Sequence, residues 1–117
     1  ELFAKYSDKV HSAAIFAQAR ASGAVKPVNL NGFAESLKQS AIKFGKPVLY
    51  LHADGHKWYV IEGDWAPNIT HVQLDLISSD FPPIQVTVTG DPERPFVFDR
   101  RQDNARWGTV KSGVESK

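Results

Sequence analysis

Apolar residues recur along this chain with two different periods, and the change falls near residue 56. From Ser7 to Ala21 the stretch "SDKVHSAAIFAQARA" offers Ser7 as an N-cap, an acidic first turn and Gly23 as a stop. Val10, Ala13, Ala14 and Ala17 then share one side of a helix. Pro27 and "NLNG" interrupt that pattern, and Asn31 can cap a second helix carrying Phe33, Leu37, Ala41 and Phe44 on one stripe. The spacing predicts this second helix over residues 32 to 45, with Gly45 ending it. Lys46-Pro47 leads into "VLYLH", a continuous apolar run of the kind found in a strand buried on both faces, predicted over 47 to 52.

Beyond His56 the period becomes two. "KWYVIEG" reads as a short strand. "NITHVQLDL" places Thr70, Val72, Leu74 and Leu76 on one face and His71, Gln73 and Asp75 on a wet one. "PIQVTVTG", with Ile84, Val86 and Val88, and "PFVFDR", with Phe96 and Phe98, close the series near Asp99. Linkers such as "GDWAPN", "SSDFPP" and "GDPERP" are turn-forming. Residues 103 to 117 lose all periodicity and read as a polar tail behind one domain spanning 1 to 102. The fold class expected is α/β: two N-terminal helices, a buried strand, then a mostly antiparallel set of strands.

Composition narrows the function more than the fold. A chain of 117 residues with 42% hydrophobic residues supports one core, not two. Fourteen basic against thirteen acidic residues, scattered along the chain, lack the footprint of a nucleic-acid partner. No apolar run approaches the roughly 20 residues that span a bilayer, and no leader-like segment opens the chain, so a soluble protein is expected. Without cysteine, disulfides and thiolate metal sites are excluded, and the compartment stays open. Without methionine the chain reads as processed, trimmed or part of a longer one.

Candidate chemistry sits where the period changes. In "HADGHKW", His52, Asp54 and His56 stand at i, i+2 and i+4, just past the predicted buried strand. Residues two apart in an extended segment point the same way, so the three can converge on one ion while Gly55 lets the chain turn beside it. Imidazole with carboxylate suits Mn, Zn or Fe better than Ca or Mg. Such an ion would bind weakly and be displaced by protons below about pH 6, since imidazole ordinarily titrates near 6.5. The same residues also suit a plain turn whose histidines hydrogen-bond to backbone and water.

The phrases "GFAESLKQSAIKFGKPVLYLHADGHKWYV", "PNITHVQLDL" and "IQVTVTGDPERPFVFD" taken together resemble the C-terminal part of a bacterial branch of the calcineurin-like metallophosphoesterases. The resemblance covers most of residues 15 to 99. It implies the C-terminal half of an αββα sandwich and a metal-dependent phosphoester hydrolase. By that resemblance His56 falls on the last metal-binding histidine and Asp54 on the position before it that contacts the second metal. His52 has no ligand role there and would support the ligands from behind or lie at the surface, and Ala53 stands where the family has glycine.

The family's other metal blocks, Asp-x-His, Gly-Asp, Gly-Asn-His and a lone His, have no counterpart upstream of residue 46. Two ions roughly 3.5–4 Å apart need a bridging carboxylate, which one loop cannot supply. The expectation is a C-terminal portion, inactive by itself, that holds a divalent ion only weakly. Its phosphoester substrate would bind only in a complete domain. The alternative is a non-catalytic binding or structural module, a self-associating remnant of that fold. Either way, loss of an N-terminal half is expected to uncover the Thr70-Val72-Leu74-Leu76 or Ile84-Val86-Val88 face, with that half or a second copy as partner.

Overall fold

The computed structural model describes residues 2–18, 31–76 and 82–101. The expected tail from 103 onward, Gly23, Pro27 and the "KPVNL" stretch therefore lie outside the described residues. Two helices and six strands are present among the described residues: α1 (Leu2–Tyr6), β1 (Ala13–Ala17), α2 (Asn31–Phe44), β2 (Val48–His52), β3 (Tyr59–Glu62), β4 (Ile69–Gln73), β5 (Gln85–Val88) and β6 (Phe96–Asp99). Strands β1 to β4 form one sheet in the order β1-β2-β4-β3, and β5-β6 form a second.

The first predicted helix is corrected by this topology. Residues 13 to 17 form strand β1, paired in parallel with β2 from Ala13↔Val48 to Ala17↔His52, and only the short α1 precedes it. Its alanines favour a helix as an isolated stretch, but five residues cannot stabilise one alone, and pairing satisfies the open edge of β2. Burial alternates along β1, with Phe16 exposed and Ala13, Ile15 and Ala17 partly covered. The other two elements stand where the spacing predicts them. Helix α2 runs from Asn31 to Phe44 and stops at Gly45, whose φ of 70° and bond from its N–H to the Ala41 carbonyl form a left-handed C-terminal cap. Strand β2 is buried at all five positions.

Burial on both sides of β2 follows from three layers. On one face Val48, Tyr50 and Ile69 pack with Leu37, Ala41 and Phe44 of α2, joined by the Phe3–Phe44 stack at 4.9 Å. On the other face Leu49, Leu51, Trp58, Val60 and Val72 pack against Phe96 and Phe98 of β6. Leu74, Ile84 and Val86 join that second cluster. The two strand faces expected to stand uncovered thus meet each other, leaving Leu76 and Val88 exposed at their ends. Arg100 fastens the layers further, donating from Nε and Nη2 to Asp75 Oδ2 at 3.1 and 2.9 Å.

Strand β4 corrects a second expectation. It is an interior strand, parallel to β2 and antiparallel to β3, so although β3–β4 and β5–β6 pair antiparallel as expected, β4 has no wet face. Both its faces are covered, and the supposed wet side, His71 and Gln73, is buried at 2% and 4% exposure. Asn68 sets its starting point by donating from Nδ2 to the carbonyls of Ala41 and Lys46, each at 2.7 Å, which ties the end of α2 to the sheet.

Candidate functional site

Register brings two distant histidines together. Tyr50 lies opposite His71 and His52 opposite Gln73, so these side chains share the α2 face of the sheet with Tyr59, which pairs with Gln73. Near the amino ends of β2 and β4 that face is apolar, at Val48 and Ile69. Toward their carboxyl ends it becomes a buried polar cluster. His52 is fully buried and His71 nearly so.

Each imidazole is held from behind by a carboxylate. His52 Nδ1 contacts Asp54 Oδ1, and His71 Nδ1 lies 2.6 Å from Asp64 Oδ2. An ionised carboxylate only accepts hydrogen bonds, so both Nδ1 atoms carry protons and both Nε2 lone pairs point forward. They point at each other: the two Nε2 atoms are 2.5 Å apart, with the Tyr59 hydroxyl 3.3 Å from each. The two rings thus face each other between two carboxylates.

Local backbone geometry delivers the partners. The turn from β3 to β4 passes through Gly63 at φ 74° and Trp65 at φ 68°, closed by Gly63 N–H on the Ile69 carbonyl at 2.8 Å. A tryptophan in the left-handed region costs about 1–2 kcal/mol. Here its ring stacks on His71 at 4.4 Å, and Tyr50 meets it edge-on at 5.3 Å. Tyr50 has its hydroxyl pKa raised above 10 by burial and by the Asp54 charge. It therefore stays a neutral wall beside the cluster.

The "HADGH" turn is built differently from its expected form. A Cβ on Gly55 would fall 2.1–2.3 Å from the amide group of Gln73, which donates from Nε2 to the Lys57 carbonyl at 2.7 Å. Gly55 is thus explained by close approach of Gln73 rather than by a special backbone angle. The left-handed residue is His56, at φ 59°, and it is exposed. Of the predicted site residues, Asp54 and His52 are brought into one contact, while His56 stands at the surface of the turn. His71, Asp64 and Tyr59 were missed. The signal for His71 is a histidine inside a strand, between Thr70 and Val72, but strict alternation there equally suits a strand with one wet face.

Among the described residues no three His, Asp or Glu side chains converge as a metal-ligand set. The converging groups are two imidazoles and one phenol, with the carboxylates behind them. A cleft of about 340 Å³ lined by Lys46, Glu62, Asn68 and Arg94 opens at the opposite, amino ends of β2 and β4. Its lysine is engaged, since Lys46 Nζ donates to the carbonyls of Ser7 and Val10. Comparison with family models, curated proteins and solved structures gave no match. No helix among the described residues is long and apolar enough to cross a membrane.

Proposed function

We propose that this chain is the C-terminal portion of a calcineurin-like metallophosphoesterase, a phosphoric ester hydrolase that is inactive without its N-terminal portion. One observation carries the reading: the "HADGH" turn leaves the carboxyl end of a fully buried parallel strand, β2, that has a helix layer on one side and a second sheet on the other. In open α/β sheets ligands bind at the carboxyl ends of such strands. The layers agree with half of the αββα sandwich that the sequence phrases imply.

Asp54 and His56 fit such a centre as part of a ligand set. Both are reachable from solvent, with the Asp54 carboxylate 23% exposed, and further ligands would come from the N-terminal portion. A bound Mn, Zn or Fe ion would supply the charge that activates a hydroxide nucleophile and stabilises the phosphoryl oxygens. In this chain Asp54 orients the His52 ring, and Gln73 holds the turn that presents His56.

A second reading, a non-catalytic self-associating module, draws on β1. That strand closes one edge of the four-stranded sheet and carries Phe16 at 78% exposure. Exposed apolar edge strands favour pairing with another chain. Two experiments separate the readings. Nitrophenyl phosphate and its bis-ester, with Mn, Zn or Fe, should show no turnover by the chain alone, and turnover abolished by His56→Ala would overturn the inactivity claim. The reading frame upstream of Glu1 should encode Asp-x-His, Gly-Asp and Gly-Asn-His, and their absence there would leave the module reading standing.

A further inference from the structure

We propose that His52 and His71, completed by the Tyr59 oxygen, form a transition-metal site that takes a single Zn(II)-class ion, with Asp54 behind His52 rather than among the ligands. This inference does not depend on the hydrolase reading. It starts from the two imidazole–carboxylate units, in which Asp54 and Asp64 fix both rings with Nε2 forward. A carboxylate on the far nitrogen is the support that metal-binding histidines ordinarily have, because it sets the tautomer and makes the free nitrogen more basic. Two such units aimed at one point from adjacent strands are more than a single buried histidine needs for its own hydrogen bonding.

Geometry allows the ion with little rearrangement. Bonds of about 2.0–2.1 Å to a tetrahedral zinc put the two nitrogens about 3.3 Å apart. From the observed 2.5 Å the rings must part by less than about 1 Å. Tyr59 already stands 3.3 Å from both nitrogens, on the side where a third ligand belongs. Two rigid strands hold the imidazoles, so little chain ordering opposes binding. Imidazole with a phenol oxygen selects Zn, Cu or Ni over Ca and Mg. The carboxylates behind the two rings place negative charge beside the site, which favours a divalent cation.

The test uses the full chain and Zn(II) alone, followed by the ring NMR signals of its four histidines. One equivalent should move the His52 and His71 rings together and leave His11 unchanged. Asp64→Asn, which loosens only the support of His71, should weaken binding about 10–100-fold. Tyr59→Phe should weaken it several-fold in a protein whose amide spectrum is otherwise retained, and His56→Ala should leave the affinity within about twofold. His71→Gln should abolish binding, and because that buried change can unfold the chain, Asp64→Asn and Tyr59→Phe decide the matter. Shifts confined to His56 or His11, no binding at millimolar zinc, or full affinity in both Asp64→Asn and Tyr59→Phe would overturn the site. None of these readouts involves phosphoester turnover, so an inactive chain that binds zinc this way refutes neither statement, and a zinc-blind chain without turnover refutes this one alone.

Discussion

The two faces of the four-stranded sheet are made of the same strands yet solve different problems. Toward the β5-β6 sheet the packing is apolar, Leu49, Leu51, Val60 and Val72 against Phe96 and Phe98, with the Arg100–Asp75 ion pair at its margin. Toward α2 the same strands begin apolar, at Val48 and Ile69, and end in His52, His71 and Tyr59. Apolar burial is favourable by itself, at roughly 25 cal/mol per Å². Burying two imidazoles is unfavourable unless every nitrogen finds a partner, and here each Nδ1 needs its own aspartate. The second face therefore holds more organisation than stability requires, which marks it as the face with chemistry.

Large-to-small substitution on the apolar face should have the largest effect. Phe98 is 1% exposed, and Phe98→Ala should destabilise the chain by about 3–5 kcal/mol in denaturant titrations, enough to unfold a marginal domain. A loss below about 1 kcal/mol would mean that the two sheets are not packed as described.

The polar face should respond less, and cooperatively. His71→Leu removes one imidazole and leaves both His52 and Asp64 short of a partner, for a cost of about 1–3 kcal/mol. Adding His52→Leu should cost far less than it does alone, because the pair is lost already and both aspartates are exposed enough to hydrate. Strict additivity in this double-mutant cycle would dissolve the distinction between the faces.

The smallest effect lies at the boundary, on Tyr50. Its pKa is raised above 10 in the folded chain by burial first and by Asp54 second. Above about pH 10 the unfolded chain releases this proton while the folded one retains it, so stability is complete below pH 10 and declines as pH rises toward the folded pKa. Tyr50→Phe should flatten that alkaline decline, and identical slopes for both proteins would show that Tyr50 is not the group responsible.

Helix α2, the buried strand β2 and the even-numbered apolar positions of β4 and β5 were legible because their patterns are local. Phe33, Leu37, Ala41 and Phe44 make a stripe whatever surrounds them, and the apolar run Val48, Leu49, Tyr50 and Leu51 between Pro47 and His52 can hardly be anything but an interior strand. His52, Asp54 and His56 were also legible as a group, since residues two apart in extended chain point to one side; that His52 rather than His56 meets Asp54 was not.

Strand β1 and the role of His71 were not legible, for one shared reason. "AAIFA" becomes a strand only because β2 offers it an edge, and His71 becomes buried only because β4 inserts between β2 and β3, where no face is left for water. Neither fact is a property of the residues nearby. The sequence by itself determined which segments are apolar, where the chain turns and that histidine and aspartate gather after β2. The tertiary structure alone decided which histidine meets which, because the separation of 19 positions from His52 to His71 is bridged by parallel strand register, and register is set by long-range hydrogen bonding and packing that no local period encodes.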